Sequence, residues 1–374
     1  MAKGAVVTFP RMGSAVPVFR TILEDLGVEV LVPPNVGPIT VSLGVRHSPE
    51  CACYPLKINL GNYLEAARRG ANTVLMIGGI GPCRLGYYAE VQREVLADLG
   101  VDMRMVVLEP PVRGWRQLAH TIADITGSRP WSAVWRAVRL GWLKLNYLDN
   151  LEAMSHHLRP REARRGTVSK ALSQAREWLD EARTFAAVNE AGHSGMELLA
   201  SVPCRETAEP PVRVGVIGEI FMVLEPAVNM GCQEALGHLG AEVEQGVWLS
   251  GWVRENVFPK PWKPRGTESH ANLARLAAPY INHWVGGEGQ LNVGHTIEMA
   301  RRGLDGVVHL APFTCMPEIV ARTALDAVSQ DYGIPVLTFF LDEHAGEAGM
   351  QTRLEAFADL LRRRRRGEAP KAGA

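Results

Sequence analysis

Thr73-Val74-Leu75-Met76-Ile77-Gly78-Gly79-Ile80-Gly81-Pro82-Cys83-Arg84 is a short apolar run that ends abruptly in glycines, a proline and a cysteine. Five apolar or β-branched residues are too few for a helix. They suit a strand buried on both faces of a parallel sheet, with a tight turn at its carboxyl end. Similar runs occur at Ala5 to Phe9, Val28 to Val32 and Met103 to Leu108. Amphipathic segments separate them at Val16 to Leu26, Gly61 to Arg69 and Tyr88 to Leu99. Strand and helix alternate, so residues 1–114 are expected to form one open α/β domain.

From Trp115 to about Leu199 the strand signals vanish and helical spacing takes over, which predicts a helical insert or arm over 115–208. Pro203 and Glu209-Pro210-Pro211 mark a joint. Alternation then resumes through Val212 to Ile217, Ala227 to Leu239, Ala241 to Val247, Val307 to Leu310 and Val336 to Leu341. A second α/β domain over 209–366 and a tail over 367–374 follow from this. The join Leu26-Gly27-Val28-Glu29-Val30 is echoed by Leu239-Gly240-Ala241-Glu242-Val243, where glycine supplies a left-handed helix end. The stretch Val257 to Gly266, with three prolines and three basic residues, reads as an irregular surface loop.

A chain of 374 residues suits two domains at roughly 100–200 residues each. Its 47% hydrophobic content excludes disorder. Lys plus Arg and Asp plus Glu both number 40, so no overall charge favours nucleic acid or an anionic membrane. The five arginines from Arg362 to Arg366 end the last helix, where cations complement the macrodipole, and read as a solvated helix end. No apolar stretch approaches the ~18–20 residues that span a bilayer, and Met1 to Pro10 has the character of a first strand rather than a signal peptide. A cytoplasmic protein is expected.

Six cysteines in such a chain are not a disulfide framework, because a reducing compartment keeps thiols apart. Context separates them. Cys51 and Cys53 lie in Pro49-Glu50-Cys51-Ala52-Cys53-Tyr54-Pro55-Leu56-Lys57, just before a helix. Cys83 and Cys315 directly follow apolar strands, the second within Pro312-Phe313-Thr314-Cys315-Met316-Pro317-Glu318. Ligands of open parallel sheets bind beyond the carboxyl ends of the strands. A thiolate at a helix start is stabilised by the dipole and by unpaired N–H groups. Glycines 78, 79 and 81 let backbone approach a bulky group.

Three thiolates from separated loops, meeting between two domains, suit an iron–sulfur cluster with one iron lacking a cysteine. They suit structural zinc less well, since no close C-x₂₋₄-C pair exists. The Cys51-Ala52-Cys53 spacing leaves open which sulfur points inward. Cys204 and Cys232 read as inert thiols.

Several motifs now combine. Cys53-Tyr54-Pro55-Leu56-Lys57 with Gly61-Asn62-Tyr63, Gly81-Pro82-Cys83-Arg84 with Gly86-Tyr87-Tyr88, Val285-Gly286-Gly287, and Pro312 to Glu318 resemble the acyl-CoA dehydratase activase-related proteins. These belong to the superfamily of 2-hydroxyacyl-CoA dehydratase and benzoyl-CoA reductase subunits and double-cubane cluster proteins. The resemblance implies two Rossmann-like open parallel-sheet domains with the helical insert between them. It further implies a 4Fe-4S cluster held by Cys53, Cys83 and Cys315, an anaerobic setting, and an ATP-hydrolysing activator of the actin/sugar-kinase fold as electron donor. The substrate implied is an acyl-CoA, and the partner a homologous subunit or a second copy. Six thiols would also satisfy a double cubane, but Cys51, Cys204 and Cys232 stand in no matching motif.

The chain itself does not read as the activator. Val7 to Ser14 lacks the Asp-x-Gly-x-Thr phosphate hairpin, no Walker motif appears, and Gly78 to Gly81 is not G-x-G-x-x-G. Gly79, Gly81 and Arg84 are expected to line the cofactor, with Arg84 offsetting charge or holding a phosphate or carboxylate, or else forming a surface ion pair. Glu288, His295 and His344 read as acid or base groups or as structural hydrogen-bonders, and Glu318 as a complement to a helix start. Trp248, Trp252, Trp262 and Trp284 read as core or interface anchors. Two rivals stay open: a non-catalytic electron-relay subunit, and a metal-free α/β binding module.

Overall fold

The structure, a computed structural model, describes residues 4–79, 81–109, 115–127, 129–206, 209–256 and 270–368. The predicted loop at Val257 to Gly266 and most of the tail lie outside them. The chain divides into two compact units, Met1–Leu148 with Leu179–Ala191 and Leu249–Lys263, and Asp149–Trp178 with Gly192–Trp248 and Pro264–Ala374.

In the first unit the order is β1 (Val6–Thr8), α1 (Ala15–Asp25), β2 (Glu29–Val30), α2 (Pro38–His47), α3 (Tyr54–Arg68), β3 (Thr73–Ile77), α4 (Leu85–Asp98), β4 (Arg104–Leu108) and α5 (Trp115–Thr126). The strands pair in parallel in the order β2-β1-β3-β4. Five consecutive pairs from Thr73↔Arg104 to Ile77↔Leu108 fix the register of β3 on β4. Successive side chains of a strand face opposite sides. Val74 and Met76 accordingly join one core with Leu60, Tyr63 and Leu96, while Leu75 joins another with Val7, Phe9 and Leu23. Both faces of the sheet are covered, as the apolar runs require.

Helix α2 was not expected; the sequence reading left this stretch without an element. It exists because it packs on α3 at backbone distance. A Cβ on Gly44 would lie 1.9 Å from the Lys57 carbonyl oxygen, and one on Gly61 would lie 2.0 Å from that of Thr40. Only glycine permits this crossing, and it fixes the helix that Cys53 begins.

The helical middle is shared out. Helix α6 (Trp131–Leu158) runs from one unit into the other, and α7 (Thr167–Glu181) and α8 (Phe185–Ala200) follow it. In the first unit, the buried Lys144 ammonium of α6 donates to Thr21 Oγ1 at 2.6 Å and to the Ala182 carbonyl at 2.9 Å. Burial lowers its pKa to about 8.

The second unit repeats the arrangement. Its elements are β5 (Val212–Gly218), α9 (Ile220–Leu224), α10 (Cys232–His238), β6 (Ala241–Gln245), α12 (His270–Ala277), α13 (Gly289–Arg301), β7 (Gly306–Pro312), α14 (Met316–Tyr332), β8 (Val336–Leu341) and α15 (Glu347–Arg365), while α11 (Leu249–Asn256), between β6 and α12 in the chain, belongs to the first unit. The sheet order is β6-β5-β7-β8, again all parallel. All seven residues of β7 are buried. Two open parallel α/β sheets are thus present, as the sequence predicts. Among the described residues no helix is long and apolar enough to cross a membrane.

The terminal arginines are mostly fastened to the fold. Arg365 pairs with Asp305 and donates to the carbonyls of Pro210 and Pro211, Arg364 donates to Gly333, and Arg362 to Leu239.

Candidate functional site

In both all-parallel sheets the strand order reverses between the first and third strands of the unit, β1 and β3 in one and β5 and β7 in the other. The crevice beyond the carboxyl ends of those strands is where such folds bind ligands. Cys83 lies between β3 and α4, and Cys315 lies between β7 and α14. The two cysteines therefore occupy the same place in two copies of one topology.

Cys53 and Cys315 also share a local design. Each is the residue that caps a helix, in extended conformation, and each is followed by x-Pro in the first turn (Cys53-Tyr54-Pro55 and Cys315-Met316-Pro317). Proline is tolerated there because the first N–H groups of a helix have no intrahelical partner. Cys53 is 6% exposed and Cys315 8% exposed, while Cys83 is half-buried. Thr314, just before Cys315, has φ +66°, a conformation that costs a β-branched residue free energy and recurs at functional sites.

In the first unit the Cys53 and Cys83 loops are joined. Arg84 Nη1 donates to the Cys51 carbonyl at 2.7 Å, and the Tyr88 hydroxyl is hydrogen-bonded to Cys53 Sγ. Cys51 is exposed, so burial distinguishes the two sulfurs that spacing left open. Gly79 has its Cβ position against the backbone of α4, 2.5 Å from the Gly86 nitrogen, and Gly81 has φ +80°. Their missing side chains let the strand turn directly into the helix that Cys83 precedes.

The second unit brings in the expected candidates Glu318 and Glu288 and adds Glu219, which motif reading did not single out. Glu318, fully buried one turn into α14, accepts from His309 Nε2 at 2.8 Å and from Asn292 Nδ2 at 2.9 Å. Asn292 Oδ1 in turn accepts from the Gly218 N–H at 3.2 Å, and His309 Nδ1 lies 3.3 Å from Thr338 Oγ1. The network ties α14 to α13, to the end of β5 and to the middle of β7 and β8. Glu219 caps α9 by accepting from the Met222 N–H at 3.0 Å. Burial, opposed by backbone N–H groups and assisted by the Glu318 charge, raises its pKa to about 7. Glu288 caps α13, and burial, then Glu219 and Glu318, hold its carboxyl well above the usual range.

Burial lowers His295 to about 4, with a smaller contribution from His270. His344 is exposed. Cys232 is fully buried, which pushes its thiol up to about 12, and Cys204 is exposed beside a bridge to Glu162. Trp248 packs its ring 5.9 Å from that of His156, whereas Trp284 is 51% exposed and so is no core anchor. Trp262 lies outside the described residues.

The donor chemistry of each unit is compatible with a cluster. Two thiols on joined loops in one and one thiol behind a strained residue in the other all lie at helix starts, where N–H groups can donate to sulfur. Among the described residues no three His, Cys, Asp or Glu are grouped to hold a metal ion. No protein-family model matches the chain, and no curated protein matches it.

Proposed function

We propose that this protein is an iron–sulfur protein of the 2-hydroxyacyl-CoA dehydratase type, with Cys53, Cys83 and Cys315 as ligands of one 4Fe-4S cluster. The observation that carries the reading is the matched placement of Cys83 and Cys315 after equivalent strands, with the Cys53 loop fastened to the Cys83 loop through Arg84. Bound there, the cluster would supply low-potential electron transfer and, at its iron without a thiolate, Lewis acidity.

The chain's own residues do the rest. Helix starts and Arg84 offset negative charge at the thiolates. Tyr88 reaches the Cys53 sulfur, and the Glu318 network holds the first turn of α14, and with it Cys315, against its sheet. Electrons come from an ATP-hydrolysing activator and pass to an acyl-CoA-like substrate or onward to a partner subunit. The test is anaerobic incubation of purified protein with activator, ATP, a reductant and a panel of 2-hydroxyacyl-CoA thioesters. Turnover supports the catalytic form. Reduction of the cluster without turnover supports an electron relay, and an iron-free folded protein rejects both.

A further inference from the structure

Helix α4 turns a polar stripe toward the chain around Cys53. Residues four apart lie on one helix face, and here Arg84, Tyr88 and Gln92 share it. Their partners run in the same order along the other segment. Arg84 Nη1 donates to the Cys51 carbonyl at 2.7 Å, the Tyr88 hydroxyl meets Cys53 Sγ, and Gln92 Nε2 donates to the Leu56 carbonyl at 3.3 Å.

Three successive contacts on one stripe define a register between α4 and the start of α3. Tyr88 is 5% exposed and Gln92 fully buried, so the inner two contacts are shielded from water. Tyr87, the next residue along, is 73% exposed and turned away. The pair Tyr87-Tyr88 thus provides two hydroxyls of the same chemistry, one facing the sulfur and one facing solvent.

We propose that Tyr88 is a positioning residue that donates its hydroxyl proton to the Cys53 sulfur, and so sets the reduction potential of a cluster that Cys53 ligates. This rests on the cluster reading above. A thiolate bound to iron has no proton to give, so in the loaded protein the donor is the tyrosine O–H. Reduction adds negative charge to the cluster and its sulfurs. A donor to sulfur therefore favours the reduced state, and its loss lowers the potential. Phenylalanine at 88 keeps the ring and its packing and removes only the donor.

The experiment is a redox titration of anaerobically reconstituted protein, followed by electron paramagnetic resonance, for the parent, Tyr88→Phe and Tyr87→Phe. At one fixed poise, Tyr88→Phe is expected to lower the ratio of reduced to oxidised cluster by roughly tenfold, the equilibrium equivalent of one charge-assisted hydrogen bond. Tyr87→Phe is expected to leave that ratio unchanged. An unchanged ratio in Tyr88→Phe, or equal shifts in the two variants, overturns the role of Tyr88 while leaving the cluster intact. Absence of iron from the parent overturns this inference together with the reading beneath it. Should Tyr88→Phe not fold, the parent is compared in light and heavy water by resonance Raman. A deuterium-sensitive iron–thiolate stretch supports the O–H donor, and an insensitive one rejects it.

Discussion

Arg84 reaches back to the Cys51 carbonyl at 2.7 Å, so the loop leaving β3 and the loop entering α3 are held by a guanidinium rather than by packing alone. Arg84 is exposed, and exposed contacts contribute little to global stability. Arg84→Ala is therefore expected to shift stability by no more than about 0.5 kcal/mol while lowering the iron retained after reconstitution. Arg84→Lys is expected not to restore iron, because an ammonium lacks the guanidinium fork. Full iron content in Arg84→Ala would remove the argument that this contact organises the site.

The crossing of α2 on α3 predicts opposite signs for one kind of substitution. At Gly61 an added Cβ meets the Thr40 carbonyl oxygen at 2.0 Å, so Gly61→Ala is expected to destabilise by about 1–3 kcal/mol despite the better helix propensity of alanine. At Gly349, in α15, a Cβ meets nothing within 4 Å. Gly349→Ala is expected to stabilise by about 0.5–1 kcal/mol. Urea unfolding of the two variants checks both signs.

Removing the Glu318 carboxylate leaves two buried donors without their acceptor. Glu318→Ala is expected to cost about 3 kcal/mol, since His309 Nε2 and Asn292 Nδ2 cannot reach water. Glu318→Gln keeps one acceptor oxygen in place and is expected to cost less than half of that. Equal losses would mean that the side chain matters only for volume.

These cases show what the sequence could reveal. Thr73–Ile77 and Val336–Leu341 match the expected strands residue for residue, because an apolar β-branched run bounded by turn residues has one reading. Strand β7 extends beyond its expected end at both sides, and it contains His309, whose burial depends on a glutamate nine residues away on another element. Helix α2 was missed because its stability lies in tertiary backbone contact rather than in apolar periodicity. The helical middle was legible as helical. Its division between two units was not, since an amphipathic face does not name the sheet it will cover. For the candidate site, the places of Cys53, Cys83, Cys315 and Arg84 beside strand ends and helix starts were readable in the sequence. Tyr88 stood in a quoted motif, but its aim at Cys53 follows only from the i,i+4 stripe.

Two half-buried groups in the second unit set opposing pH dependences. Glu219 has a folded pKa of about 7, above the ordinary 4.5, so the folded state binds more protons between those values and stability falls as pH rises through that window. His295 has a folded pKa of about 4, below 6.5, so the unfolded state binds more protons between 4 and 6.5 and stability rises with pH there. Glu219→Gln is expected to gain on the parent as pH increases from 5 to 8. Urea midpoints measured across that range test this, and a constant difference would show that Glu219 titrates as an ordinary carboxylate.

The central claim is that Cys53, Cys83 and Cys315 ligate one inorganic cluster. Iron and acid-labile sulfide are measured per chain after anaerobic reconstitution, in the parent and in Cys53→Ala, Cys83→Ala, Cys315→Ala and Cys204→Ala. The account predicts about four of each per chain in the parent and in Cys204→Ala, as a 4Fe-4S cluster requires, and severe loss in the other three. A folded parent that takes up neither element, or loading that survives all three substitutions, would contradict it.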